Sequence, residues 1–373
     1  MEVPKLLRWA LAVVLLLACA RFGLPRALPL AERGDPALLE QRATEKAQEL
    51  GYGVSGRPLR LTYVDVKQIT TWRWQLPDRN AQVSVDASGE AVAWRGPDAS
   101  QHRKVAMPHL HGLYRRGMRV SAVGVVAGAL LGLSLMVLSR RRRWHWRYGL
   151  GLGGTALIGI LSCRLVEVDR MLWGLKSGDA LAPTFLRSFL MDAALWGPIV
   201  LGTAVAAACV GPPKRWGSGA LSGLLVTAAL FALAGVLTPA LEQAGFFLRL
   251  QPQHLLNELV DSRLPWVSVV GYSLFAVAVE ETLFRRLGTG LLFEHTRNAA
   301  FSILVPALCF GLTHASVDFL PPADPLVRAG LMTLVGVFWG WLYLRKGLAA
   351  VVASHLAADL LLLSWPLWGV SAA

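Results

Sequence analysis

Long uninterrupted apolar runs recur along the chain, and they limit what it can fold into more than any other feature. About eight of them follow Met118, and each approaches the roughly 20 residues that a helix needs to cross a bilayer. Their centres read GALLGLSLMVL, TALIGILSC, ALWGPIVLGTAVAAACV, GLLVTAALFALAG, VVGYSLFAVAV, FSILVPALCF, LMTLVGVFWGWLYL and VVASHLAADLLLL. Backbone polar groups in lipid must pair within their own segment, so these runs predict an all-α polytopic membrane bundle.

Composition agrees with a membrane protein. Of the 373 residues, 54% are hydrophobic, yet the formal net charge is +13. A basic excess can indicate nucleic-acid binding. Here the clearest basic run, Arg140 to Arg143, adjoins an apolar run, where arginine is typical of an orientation signal and a contact with anionic lipid. We therefore expect the lipid bilayer, and no nucleic acid, as a partner.

Two segments precede the apolar core. Residues 1–24 contain LLRWALAVVLLLACA, which indicates either a retained transmembrane anchor or a cleaved signal peptide. Residues 30–116 are polar: LLEQRATEKAQELG predicts a helix closed at Gly51, and LRLTYVDV and TTWRWQL alternate as strands do. QVSVDASGEAVAWRG predicts two further strands joined by a turn at Asp86 to Gly89. We expect a small α+β domain here.

This predicted domain resembles a PepSY-type module, chiefly through VSVDASGEAVAW. That resemblance implies a docking or spacer role without chemistry of its own, and it suggests a protein partner for residues 30–116. Residues 118–147 are predicted to form a transmembrane helix and a basic cytoplasmic loop, and residues 148–368 the main helical core.

Basic residues predict the orientation, because cytoplasmic loops carry an excess of Lys and Arg. The clusters fall at alternate ends of the spans: Lys5 with Arg8, Arg140 to Arg147, Lys214 with Arg215, Arg285 and Arg286 with Arg297, and Arg345 with Lys346. We therefore expect a multi-pass plasma-membrane protein with a cytoplasmic N-terminus and with residues 30–116 outside.

The stretch VAVEETLFRR places two adjacent glutamates, Glu280 and Glu281, inside an apparent span. A carboxylate in hydrocarbon is costly unless it has a partner, so such residues are functional candidates. On a helix Glu281 and Arg285 share a face and can pair. Glu280 is rotated by about 100° and points elsewhere. We expect Glu281 to be structural and Glu280 to be free for proton transfer.

Two later spans carry ionisable groups as well. In FGLTH, Phe310 and His314 lie one turn apart, and in HLAAD, His355 and Asp359 repeat that spacing. Since buried ionisable groups need compensation, we expect Glu280, His314, His355 and Asp359 to meet in one pocket. Structural polar contacts between helices are the alternative interpretation. One carboxylate with two imidazoles suits water activation and oxyanion stabilisation, which is the chemistry of amide hydrolysis.

EETLFR, FGLTH and HLAAD together resemble the motifs EExxxR, FxxxH and HxxxN/D of the CPBP family of intramembrane endopeptidases, also called CAAX prenyl protease type 2 or Abi. The resemblance covers roughly residues 150–368. It implies that Glu280 activates water with His314, and that His355 and Asp359 lie on the oxyanion side. It implies supporting roles for Glu281, Arg285 and Phe310.

The resemblance leaves the metal open, because the family is often described as a metalloprotease. If a metal binds, Glu280, His314 and His355 are its expected ligands, and their types suit zinc. HExxH is absent, however, and we expect no obligatory cofactor.

Two other functions stay open beside a protease acting on a membrane-associated protein or peptide. Intramembrane Glu, Asp and His residues also build the proton relays of transporters, and a catalytically idle member could act in immunity or as a scaffold. Whether the substrate is prenylated is not set by the sequence.

The sequence also predicts a mismatch in depth. At 1.5 Å per residue, Glu280 and His355 lie roughly 10–12 Å below the expected cytoplasmic boundary. His314 lies roughly 24 Å from it if its helix begins near Asn298. The helix must then begin earlier, near Phe293, or tilt strongly.

Overall fold

The chain folds mainly into apolar helices. The computed structural model describes residues 5–23, 36–54, 59–62, 70–75, 80–85, 89–95, 108–139, 144–166, 181–212, 219–243, 264–315 and 325–369. The helices in these ranges are α1 (Lys5–Gly23), α2 (Pro36–Glu49), α3 (Pro108–Leu138), α4 (Trp146–Val166), α5 (Leu181–Val210), α6 (Ala220–Gln243), α7 (Pro265–Glu280), π1 (Glu281–Leu291), α8 (Leu292–Thr296), α9 (Ala299–Thr313), α10 (Pro325–Lys346) and α11 (Leu348–Gly369).

A small α+β unit precedes α3. Its strands are β1 (Leu59–Thr62), β2 (Thr70–Gln75), β3 (Asn80–Val85) and β4 (Ala91–Arg95), and they form an antiparallel sheet in the order β1-β2-β3-β4. Helix α2 packs on this sheet and ends at Glu49, and Gly51 follows with a φ of 81°, which suits a residue without a Cβ. Trp72 and Val83 face each other across β2 and β3 and are fully buried.

The helix and strands of this unit lie where the alternation predicted them. The end of LRLTYVDV beyond Thr62 and residues 86–88 of the expected turn lie outside the described residues. The side of the membrane on which the unit lies stays a prediction, as does its resemblance to a PepSY-type module.

Helix α3 begins at Pro108, about ten residues before the expected start near 118. The extra residues, PHLHGLYRR, are too polar to count as a membrane span. They can still extend the helix, because a helix need not end where its apolar run ends, and proline is favoured in a first turn. The apolar span within this helix, Arg116–Leu138, begins close to the expected start.

The eight apolar runs all lie within helices, namely α3 to α7 and α9 to α11. In the described ranges three helical segments are long and apolar enough to cross a membrane: Arg116–Leu138, Phe189–Val210 and Pro265–Thr296. Shorter apolar helices cover Ala220–Val236, Ala299–Thr313 and Leu348–Ser364. The chain is thus a helical membrane bundle, while the number of its spans stays a prediction.

A π-helix lies at the centre of this bundle. π1 follows α7 directly and packs against α3, α5, α9, α10 and α11. Two glycines let this wide helix fit. A Cβ on Gly288 would lie 3.0 Å from the Pro306 ring, and one on Gly290 would lie 2.7 Å from the Tyr343 hydroxyl. The neighbours of Gly288 and Gly290 therefore approach too closely for larger residues.

The helical segment that contains Arg285 and Arg286 continues through π1 and α8 to Thr296, and the position of the membrane boundary along it stays a prediction. Arg285 is buried in the bundle. Arg286 donates through Nη2 to the carbonyl oxygen of Val210 at 2.8 Å, at the end of α5. Arg285 is thus held inside the bundle, whereas Arg286 is half-buried and bound at the end of α5. Arg140 to Arg143 and Lys214 with Arg215 lie outside the described residues.

This longer segment removes the depth mismatch between Glu280 and His314. Eleven residues of π1 and five of α8 follow Glu280, which is at most roughly 24 Å at 1.5 Å per residue. Helix α9 runs back over 15 residues, or roughly 22 Å, and it begins at Ala299 with Asn298 as its N-cap. An earlier start of α9 near Phe293 is therefore not needed.

We predict that Gly311→Ala destabilises the protein. A Cβ at Gly311 would collide with the Ala329 carbonyl oxygen and with Thr333 of α10, and such overpacking costs about 1–3 kcal/mol. Thermal unfolding in detergent should show a lower Tm. Gly330 is the matched control, because a Cβ there meets nothing within 4 Å. Gly330→Ala should keep or raise the Tm, and equal losses in both variants would contradict this packing.

Candidate active site

Side chains from three helices meet around Glu280, the last residue of α7. Its Oε1 lies 3.5 Å from His314 Nε2, and its Oε2 lies 3.7 Å from His355 Nε2. The histidines come from the C-terminal end of α9 and from α11. The structure thus brings together the carboxylate and both imidazoles that the sequence predicted to converge.

His314 is oriented by the end of its own helix. It is the C-cap of α9, and its Nδ1 lies 2.8 Å from the Phe310 carbonyl oxygen. A carbonyl only accepts, so Nδ1 carries the proton and donates. In the neutral ring Nε2 is then an acceptor, and it faces Glu280. The Phe310 ring packs on the imidazole, with centroids 4.3 Å apart.

His355 has a carboxyl oxygen near each ring nitrogen. Its Nδ1 lies 2.7 Å from Glu281 Oε1, and its Nε2 lies 3.4 Å from Asp359 Oδ2 one turn along α11. Nε2 also faces Glu280. The expected pairing of His355 with Asp359 is present. The short contact with Glu281 was not expected.

Glu281 and Arg285 form the buried pair that their spacing predicted. Their side chains are each 2% exposed, and Arg285 Nε lies 3.6 Å from Glu281 Oε2. The guanidinium also lies over the rings of Phe310 and Trp339, at 4.3 and 5.0 Å from their centroids. Its nitrogens have no hydrogen-bond partner within the described part of the chain, so the aromatic faces and Glu281 provide its compensation.

The adjacent residues Glu280 and Glu281 differ in the exposed fraction of their side chains. The side chains of Glu280 and Asp359 are each 19% exposed, whereas that of Glu281 is 2% exposed. Glu280 and Asp359 are thus the more exposed carboxyl groups of the site, and Glu281 is the most buried. This difference supports the assignment of Glu281 to a structural role and of Glu280 to proton transfer.

The ionisable side chains of this site together carry a net negative charge, which two added protons would neutralise. Three carboxyl groups face one guanidinium, so the cluster has an excess of two negative charges when both imidazoles are neutral. Low-dielectric surroundings penalise such an excess, and interacting groups share their protons as a set. The arrangement is therefore suited to accepting and returning protons.

Sequence reasoning missed two contacts of this site. Nothing in the spacing of residues 281 and 355 indicates that Glu281 binds His355, since they are 74 positions apart. Trp339 also packs on His355, with ring centroids 4.1 Å apart. Tryptophan occurs 14 times in the chain, so its type alone did not single it out.

Among the described residues, no group of three His, Cys, Asp or Glu side chains is arranged to hold a metal ion. Glu280, His314 and His355, the expected ligands of a metal, bring their carboxylate oxygens and Nε2 atoms to 3.5 and 3.7 Å from one another. The expectation that no cofactor is obligatory stays a prediction.

Fold and site together define a helical membrane protein with a carboxylate–imidazole site inside its bundle. Residues 262–361, about a quarter of the chain, match the family model described as type II CAAX prenyl endopeptidase, Rce1-like. Neither the comparison with curated proteins nor that with solved structures found a match.

The match confirms the resemblance of the three motifs to the CAAX protease family, and it spans every predicted site residue. At the level of the family it supports a CAAX-protease-like peptidase in the membrane. It supports neither the metalloprotease nor the Abi part of the expectation.

We predict that Arg285→Met lowers the Tm in detergent, because it leaves Glu281 as an uncompensated buried charge, at a cost of about 3–5 kcal/mol. Glu281→Gln combined with Arg285→Met should recover most of the loss, since the charge is removed and an amide oxygen can still accept from His355.

The exposed Arg345 provides the control, and Arg345→Met should change stability by less than about 1 kcal/mol. An Arg285→Met protein as stable as the wild type would rule out this buried pair as a structural requirement.

Proposed function

We propose that this protein is an intramembrane endopeptidase in which Glu280 activates a water molecule for attack on a peptide bond. The observation that carries the proposal is the meeting of Glu280, His314 and His355 at 3.5–3.7 Å, from three separate helices inside an apolar bundle. The family match supports the same class of reaction.

In the first step the Glu280 carboxylate takes a proton from water, and the resulting hydroxide attacks the carbonyl carbon of the scissile bond. His314 faces the same carboxylate with Nε2, which is an acceptor in the neutral ring. It therefore helps to orient the water and shares its proton. The hydrogen bond from Nδ1 to the Phe310 carbonyl keeps the imidazole in that tautomer.

The carbonyl oxygen becomes an oxyanion in this step and needs a donor. When protonated, His355 donates from Nδ1 to Glu281 and presents Nε2–H toward Glu280 and Asp359, where the oxyanion would form. Preorganised donors of this kind commonly contribute 10²–10³ in rate. Asp359 orients His355 when ionised and can itself donate only when protonated.

The intermediate then collapses, and the carbon–nitrogen bond breaks. Glu280 returns the proton it took from water to the leaving amine, so the carboxylate is regenerated. The products are a new carboxyl terminus and a new amino terminus, and one water molecule is consumed.

The substrate that fits the proposed peptide hydrolysis is a membrane-associated protein or peptide, because the site lies within the helical bundle and the matched family is one of CAAX prenyl endopeptidases. We further propose a plasma-membrane location with a cytoplasmic N-terminus, and an outside position for the α+β unit, where it would meet a protein partner. No observation favours transport or a catalytically idle role.

We predict that Glu280→Gln lowers cleavage by about 10²–10⁴, the usual contribution of a general base. The purified protein in liposomes should cleave a membrane-tethered peptide, identified by comparing the membrane proteomes of wild-type and Glu280→Gln cells.

The Tm should be unchanged, and Glu294→Gln in the exposed turn of α8 should leave cleavage unchanged. Loss of a pH-driven flux without any effect on cleavage would instead indicate transport.

We predict that cleavage persists after prolonged treatment with EDTA or 1,10-phenanthroline, because the mechanism uses only the side chains of the chain. The rate of peptide cleavage before and after treatment checks this. Activity that disappears and returns on addition of zinc would contradict it.

A further inference from the structure

Trp339 of α10 contacts two members of the site without belonging to any of the three motifs. Its side chain is buried, and its ring is tilted by 31° against the His355 imidazole, with centroids 4.1 Å apart. The Arg285 guanidinium lies 5.0 Å from the centroid of the same ring. The indole therefore packs against His355 and also contacts the cation that compensates Glu281.

The indole is itself fixed by a chain of hydrogen bonds that begins at its Nε1–H. Its Nε1–H only donates, and it donates to Ser354 Oγ at 3.2 Å. The Ser354 hydroxyl, 2.8 Å from Thr227 Oγ1, has its own proton left to donate to Thr227. Thr227 in turn donates to the carbonyl oxygen of Gly223 or Ser354, each at 3.1 Å. The chain ends on the backbone of α6 and α11.

This chain resists rotation of the indole. Turning the ring would leave a buried N–H without a partner, which is unfavourable. The close approach of α6 to α11 supports the same geometry, because a Cβ on Gly223 would collide with the Ala350 carbonyl. The plane of Trp339 is therefore set by packing and hydrogen bonds outside the site.

His355 needs such support more than His314 does. His314 is held by a carbonyl of its own helix and by the Phe310 ring. His355 sits in the middle of α11, and its Nδ1 bond to Glu281 fixes one edge of the ring but not its plane. Trp339 supplies the missing constraint, so that Nε2 stays directed at Glu280 and Asp359.

We propose that Trp339 is a positioning residue for His355, anchored through Ser354 and Thr227. The proposal rests on the proposed function, since positioning matters for the oxyanion step that His355 carries out.

Three substitutions test it by steady-state kinetics. Trp339→Leu removes the ring and should lower kcat about 10²-fold with an unchanged KM, because a misplaced catalytic group affects the chemical step. Trp339→Phe keeps a ring but loses the N–H, and it should lower kcat about tenfold. Ser354→Ala should resemble Trp339→Phe and should add nothing to it in the double variant, because both remove the same bond.

Trp341, which is exposed on the same helix, is the matched control, and Trp341→Leu should leave kcat and KM unchanged. If Trp339→Leu does not fold, the kcat values of Trp339→Phe and Ser354→Ala test the proposal instead. An unchanged kcat in both, a raised KM with unchanged kcat, or additive effects of the two would overturn the proposal.

A second measurement needs no activity, so it separates this proposal from the proposed function. Protein labelled with 5-fluorotryptophan carries 14 fluorine labels, one for each tryptophan. The signal that disappears from the ¹⁹F NMR spectrum of Trp339→Phe belongs to Trp339. His355→Gln removes the stacked ring and should move that signal more than any other. If another signal moves more, or none moves, the contact is not as described. If the wild-type protein cleaves nothing, the enzyme proposal fails while this test still decides the contact.

Discussion

Three carboxyl groups lie inside an apolar helical bundle, and the arrangement depends on how the most buried of them is compensated. Glu281 has one oxygen near Arg285 and the other at 2.7 Å from His355. It therefore joins π1 to α11 and sets the orientation of an imidazole at the same time. Without Arg285 this carboxylate would be an unpaired charge in low dielectric, which a bundle of this kind does not tolerate.

Two adjacent glutamates reach the two nitrogens of one histidine. Glu280 ends α7 and faces His355 Nε2, whereas Glu281 begins π1 and holds Nδ1. Neighbouring helical residues point about 100° apart, so they can approach one ring from different sides. The buried glutamate therefore holds the ring, and in the proposed mechanism the more exposed one activates water. π-helical turns are rare, and where they occur they frequently lie at functional sites.

Aromatic rings extend this arrangement outward. Phe310 packs on His314 and Trp339 packs on His355, and Arg285 lies over both rings. A single guanidinium thus contacts the supports of both histidines. Rings are suited to this position because they fill a dry interior and still attract a cation to their faces.

Much of the site could be predicted from residue types and local spacing. The pairs Glu281–Arg285 and His355–Asp359 are separated by four residues, so one helical turn brings them together wherever the helix lies. The convergence of Glu280, His314 and His355 followed from the energetic need of buried ionisable groups for partners. The helix boundaries were less predictable, because the charges of Arg285 and Arg286 did not indicate that the helical segment continues to Thr296.

The sequence by itself therefore determined the helical membrane class, the strands of the α+β unit and the identity of the ionisable residues, since these depend on hydropathy, periodicity and spacing along one element. Only the tertiary structure decided that Glu281 holds His355, that a π-helix follows Glu280 and that Trp339 stacks on the imidazole. These features depend on contacts between residues far apart in the chain, and their geometry is set by how closely the helices approach, for which no local pattern carries a signal.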